Sequence, residues 1–109
     1  MFGFSQQRRE LLQAELQRFA AEAPSYGALR AYLIGALGRG IVRPDTELEL
    51  VVVQDTDEPF HRRADFWVSH LRPRVGTRFL VYTPEEFEAL ENADPLLLEA
   101  QRVGAPVVG

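Results

Sequence analysis

Two carboxylates one residue apart, Glu47 and Glu49, open the apolar run "ELELVVVQ" (47–54). On a strand, residues i and i+2 project from the same face, so this spacing sets the two side by side. Paired carboxylates in that arrangement suit one or two Mg²⁺ ions, which orient phosphates and stabilise an in-line displacement. Taken alone, the same spacing equally describes the solvated face of an amphipathic strand. A second feature lies just upstream, where "GALGRG" (35–40) sets three glycines and Arg39 directly after the apolar "ALRAYLI" (28–34). A glycine-rich connection after a strand lets backbone N–H groups approach a phosphate, although an ordinary tight turn uses the same residues. Together they give a specific layout: strand, glycine-rich turn with an arginine, then an acid pair on the next strand.

The elements that must position these residues follow from periodicity. Leu12, Leu16, Phe19, Ala20 and Ala23 fall on one helical face, which predicts a helix capped by Ser5, running to about Glu22 and ended by Pro24 and Gly27. A strand over 28–34, a turn region over 35–45 and a strand over 47–54 come next. The strand over 47–54 alternates first, leaving one face open at its start, and then becomes continuously apolar, as in strands covered on both faces. "DTDEP" reads as a turn, with Asp55 and Asp57, like Asp45 before the acid strand, serving turns and caps. Phe60, Ala64, Trp67, Val68 and Leu71 repeat the helical spacing, with Trp67 as core, and Pro73 and Gly76 close that helix. "TRFLVYT" (77–83) is a third strand. "TPEE" supplies a capping box, with Thr83 as cap, Pro84 at the first helical position and Glu86 three residues after the cap. "DPLLLEAQRVG" (94–104) predicts a further helix, and "APVV" a short final strand. The result is a single α/β (α+β) domain over 1–109, a leading helix in 1–27 and a core in 28–109, with a mixed sheet backed by helices.

Composition narrows the classes. The net charge is −4 and the basic residues are dispersed among glutamates, which argues against a nucleic-acid backbone as the main partner. All twelve basic residues are arginine, so a lysine nucleophile or phosphate-binding lysine is excluded. With no cysteine there is no disulfide framework and no thiolate metal site. His61 and His70 are nine residues apart on a predicted helix and fall on different faces, so they form no ligand pair. The apolar runs are too short to span a bilayer, and "MFGFSQQRRELLQ" lacks the basic start and apolar stretch of a secretory signal, so a cytoplasmic protein without membrane partners is expected.

The combination of "GALGRG", "TELEL" and the strand ending "FLVYTPEEFE" resembles the signature of minimal nucleotidyltransferases, small relatives of DNA polymerase β. That family reads strand, Gly-Ser, a few residues ending in Arg-Gly, then Ser-Asp-x-Asp-Leu on the following strand. The likeness covers residues 32–108. It implies a nucleotidyltransferase-like mixed sheet, Mg²⁺ as cofactor held by Glu47 and Glu49, and nucleotide contacts from Gly35, Ala36, Arg39 and Gly40. Four positions depart from the pattern: Ala36 replaces the family's serine, Glu47 and Glu49 replace two aspartates, and Arg78 falls where the third carboxylate is expected. Glutamate keeps the charge but adds a methylene and a torsion at a site where about 1 Å of misplacement costs about a hundredfold in rate. A guanidinium stays protonated and cannot act as a general base, but its fork of donors matches a carboxylate. The expectation is that Arg78 pairs with Glu47 or Glu49 in place of the metal. The sequence therefore predicts a non-catalytic binding or regulatory protein. Proteins similar to this family often pair with a helical HEPN-type protein, frequently as the antitoxin of a toxin–antitoxin system. The alternative is an active Mg²⁺-dependent enzyme that transfers AMP or another nucleotidyl group from ATP or another nucleotide to a protein or small-molecule acceptor.

Overall fold

The computed structural model describes residues 3–90, 95, 98 and 105–108. Its centre is strand β2 (Leu48–Gln54), which pairs antiparallel with β1 (Ala28–Ile34) on one side and parallel with β3 (Thr77–Tyr82) on the other. The short β4 (Ala105–Val108) adds antiparallel to β1, so the four-stranded mixed sheet has the order β3-β2-β1-β4. The helices are α1 (Gly3–Glu22), the single turn α2 (Gly35–Gly38), α3 (Phe60–Leu71) and α4 (Pro84–Leu90), with a short 3₁₀ turn over Ala23–Tyr26.

Alternation along the strands builds two cores. Leu48, Leu50 and Val52 point to one face with Ala31, Leu33, Phe79 and Val81, where Leu12 and Phe19 of α1 and Trp67 and Leu71 of α3 cover them. Val51 and Val53 point to the other face with Ile34 and Tyr82, where Phe87 of α4 packs on them. The apolar run of β2 thus has a layer on each side, as its sequence requires. Trp67 is fully buried, and its indole N–H donates to Gln54 Oε1 at 3.0 Å while Gln54 Nε2 donates to the Tyr26 carbonyl. Gly27 takes φ +102° to turn the chain from the 3₁₀ segment into β1, beside that glutamine.

Three expectations shift. α1 begins at Gly3, so Ser5 lies inside the helix and is not its cap. The turn region over 35–45 contains a helical turn at Gly35–Gly38 before it loops. The buried stripe of α3 is Arg63, Trp67 and Leu71, whereas Phe60 and Val68, which share the apolar spacing, are exposed by about half. The predicted helix over 94–104 lies outside the described residues except for 95 and 98, both helical.

Arg63 explains the rotation of α3. Its buried guanidinium donates to the Glu58 and Val81 carbonyls and forms a two-point contact with Glu86, Nη1 to Oε1 at 2.5 Å and Nη2 to Oε2 at 3.1 Å. Glu86 also accepts from the Thr83 N–H while Thr83 Oγ1 accepts from the Glu86 N–H, so the capping box forms as its residues predict. Every nitrogen of the fork thus has an acceptor, which is the condition for burying such a charge. Arg63→Met is expected to lower stability by about 2–3 kcal/mol in urea denaturation, because it leaves the Val81 carbonyl and the Glu86 carboxylate short of donors.

The same contact gives a pH dependence. The side-chain hydrogen bonds from Arg63 hold the Glu86 carboxyl below its ordinary value of 4.5, against the opposing effect of burial. A carboxyl depressed in the folded state contributes stability that is fully present above its unfolded value and lost as pH falls through the folded one. Glu86→Gln is therefore expected to be less stable than the parent at pH 7 and to lose less on acidification below about pH 4.5, in urea titrations at stepped pH.

Candidate functional site

Glu49, Ile34 and Arg78 are lateral neighbours on one face, since Ile34 opposes Glu49 on β1 and Arg78 opposes it on β3. This row lies at the end of the second core, one step beyond Tyr32, Val51 and Leu80. The apolar cover thus gives way to charge at the C-terminal end of β1 and the N-terminal ends of β2 and β3. Arg78 Nη1 stands 3.8 Å from Glu49 Oε1, an ion pair longer than a hydrogen bond, with the arginine side chain 60% exposed and the glutamate 30%.

The two glutamates fold back onto glycines. A Cβ placed on Gly35 would overlap the Glu49 carboxylate, standing 2.6 Å from its Cδ. A Cβ on Gly76 would likewise meet Glu47, 2.8 Å from its Cδ. Glu49 therefore rests against the end of β1 and Glu47, which is exposed, against the residue before β3.

The glycine-rich connection has its own geometry. Gly35 adopts φ +76° where β1 turns into α2, and Gly40 adopts φ +79° where α2 is left. Ala36 lies in α2, and its carbonyl accepts from the N–H of Ile41 at 2.8 Å; the Arg39 N–H donates to the Gly35 and Ala36 carbonyls. Arg39 and Gly40 are exposed at the end of this turn. Of the residues expected at the site, the structure brings Gly35, Glu49 and Arg78 into contact, sets Glu47 beside Gly76, and holds Ala36 in the turn that follows Gly35. Asp45, Asp55 and Asp57 are exposed in the connections at the two ends of β2.

Two residues that fix this site have no signal in the sequence. Arg8 of α1 donates from Nε and Nη2 to the Thr46 carbonyl at 3.0 and 2.6 Å. Buried Thr46 accepts from the Arg43 N–H through Oγ1 at 2.7 Å. Together they pin the residue before Glu47. Compared with protein-family models, with curated proteins and with solved structures, the chain matches none.

The exposed pair and the left-handed glycine have different energetic weights. Arg78→Ala is expected to cost less than about 1 kcal/mol, as an exposed ion pair does. Gly35→Ala is expected to cost about 1–2 kcal/mol, because an L side chain at φ +76° is strained even after the flexible Glu49 side chain moves aside. Parallel urea unfolding curves of the two variants check the ranking.

Proposed function

We propose that this chain keeps the scaffold of a minimal nucleotidyltransferase while a glutamate–arginine pair takes the place of its metal site, and that it acts as a non-catalytic binding or regulatory protein. The observation that carries this reading is the position of Arg78, the lateral neighbour of Glu49 and its ion-pair partner. In the family the sequence resembles, that place calls for a third carboxylate. A guanidinium there supplies positive charge of the kind a metal would bring, but it has no lone pair to coordinate with and accepts no proton.

The donor set supports the same reading. Octahedral Mg²⁺ needs oxygens converging at about 2.1 Å. Here the two carboxylates are seated over different glycines, one just after β1 and one just before β3, and a cation stands beside one of them. These residues do not suit Mg²⁺. The regulatory role, with a helical HEPN-type protein as partner, follows from the resemblance and is part of the proposal.

Incubation of the purified chain, alone and with any co-purified partner, with labelled ATP and Mg²⁺ or Mn²⁺ tests the reading. No transfer of label is expected. Label that appears on the protein or partner and disappears in Glu47→Gln would overturn it in favour of an active nucleotidyltransferase. In calorimetric titration, Arg78→Asp is expected to raise Mn²⁺ affinity at least about tenfold, because it exchanges a repelling charge for an attracting one beside Glu49.

A further inference from the structure

We propose that α3 is an interface between two copies of this chain, packed antiparallel across a two-fold axis near Ala64. The pairing is independent of the chemistry at Glu49 and Arg78.

The helix carries an apolar ridge that its own domain leaves half uncovered. Among the described residues five large apolar side chains are exposed, and two of them, Phe60 at 48% and Val68 at 47%, lie on α3. With partly buried Ala64 between them they form one i, i+4, i+8 row, the kind of ridge that packs into the groove of a neighbouring helix. The Phe60 ring is already held in place, by Tyr82 at 5.3 Å between ring centroids and by the Arg63 guanidinium 5.6 Å from its centre. An aromatic anchor fixed beforehand costs little to order on association.

The ridge and the charges at its two ends fit a second copy. Turned antiparallel about Ala64, each Phe60 meets the partner's Val68, and the small Ala64 side chains meet at the centre, where they let the two backbones come close. The charges agree with this direction. α3 is entered through exposed Asp57 and Glu58 and left through exposed Arg72. The antiparallel register sets the acidic entry of one helix beside the Arg72 exit of the other, twice by symmetry, and brings opposite ends of the two helix dipoles together. A parallel pairing would set like charges side by side. The same patch is used on both copies, so the contact closes as a dimer and does not propagate.

Sedimentation velocity of the full chain over a concentration series tests this. The parent is expected to shift from monomer to dimer as concentration rises. Val68→Asp, at an exposed position outside both apolar clusters, is expected to weaken the dimer at least about tenfold, as loss of a central apolar contact does. Asp57→Arg and Arg72→Asp are each expected to weaken it at least about fivefold, because each sets two like-charged pairs across the axis. Mixed in equal amounts, these two charge variants are expected to associate with each other about as well as the parent does with itself. The chain has no cysteine, so Ala64→Cys is a clean probe of the axis. Under mild oxidation it is expected to cross-link at least about tenfold faster than Ser69→Cys, which is exposed on another side of α3. The proposal fails if the parent stays monomeric at every concentration, if Val68→Asp dimerises as the parent does, or if the two charge variants do not associate when mixed. Should Ala64→Cys not fold, the mixture of charge variants decides.

Discussion

Strand β2 bears fully or nearly fully buried side chains on both faces from Leu48 to Val53, excepting Glu49, and the rest of the structure is arranged to cover them. Each of Leu50, Val51, Val52 and Val53 is completely buried, and removing such a side chain from water contributes about 1.5–3 kcal/mol. A strand buried on both faces needs a neighbour on each edge and a layer on each side. β1 and β3 supply the first, and α1 and α3 on one face and α4 on the other supply the second. The charged site is where that covering stops, at the first residues of the strand. Its ion pair is worth a fraction of any one of the valines, so the geometry of Glu49 and Arg78 follows from the register of the sheet and does not set it.

That hierarchy explains what was legible in the sequence. Strand β1 and helix α3 have the boundaries their patterns predict, and β2 differs by one residue at its start, because turns and apolar periodicity define them locally. The capping box at Thr83 and Glu86 was legible for the same reason, as both its hydrogen bonds close within four residues. That Arg78 meets Glu47 or Glu49 was an expectation from the family resemblance; the parallel register of β3 on β2 sets it beside Glu49. The orientation of α3 was not legible, because a helix whose buried stripe includes an arginine reads as rotated when only apolar residues are counted. Arg63 is buried through acceptors on Glu58, Val81 and Glu86, and the last two are far along the chain.

Long-range polar contacts also attach α1, whose apolar residues alone say little about where the helix docks. Glu15 is buried, accepts twice from Arg18, and takes the backbone N–H of Arg74 at 2.8 Å, which joins the middle of α1 to the connection before β3. The hydrogen bonds from Arg18 are the main reason its carboxyl is held below the ordinary range. One turn or so from the start of the same helix, Arg8 holds the Thr46 carbonyl. α1 thus braces the approach to β2 and the approach to β3, the two segments that deliver Glu47 and Gly76 to the site. Sequence separations of 38 and 59 residues put both contacts beyond any local pattern.

The Arg63 cluster also bears on how the molecule keeps to itself. β3 is an edge strand, and an exposed edge offers its outward N–H and carbonyl groups to any passing strand. The Leu48 N–H takes the Gly76 carbonyl, so even-numbered residues of β3 turn their backbone toward β2 and odd-numbered ones turn it outward. Two of those outward groups are already engaged, the Val81 carbonyl by Arg63 and the Thr83 N–H by Glu86. The C-terminal half of the edge is thereby closed by a charged pair, and a foreign strand that sought to extend the sheet there would first have to displace it. What fastens one helix to the cap of another also guards the chain against polymerising through its own sheet.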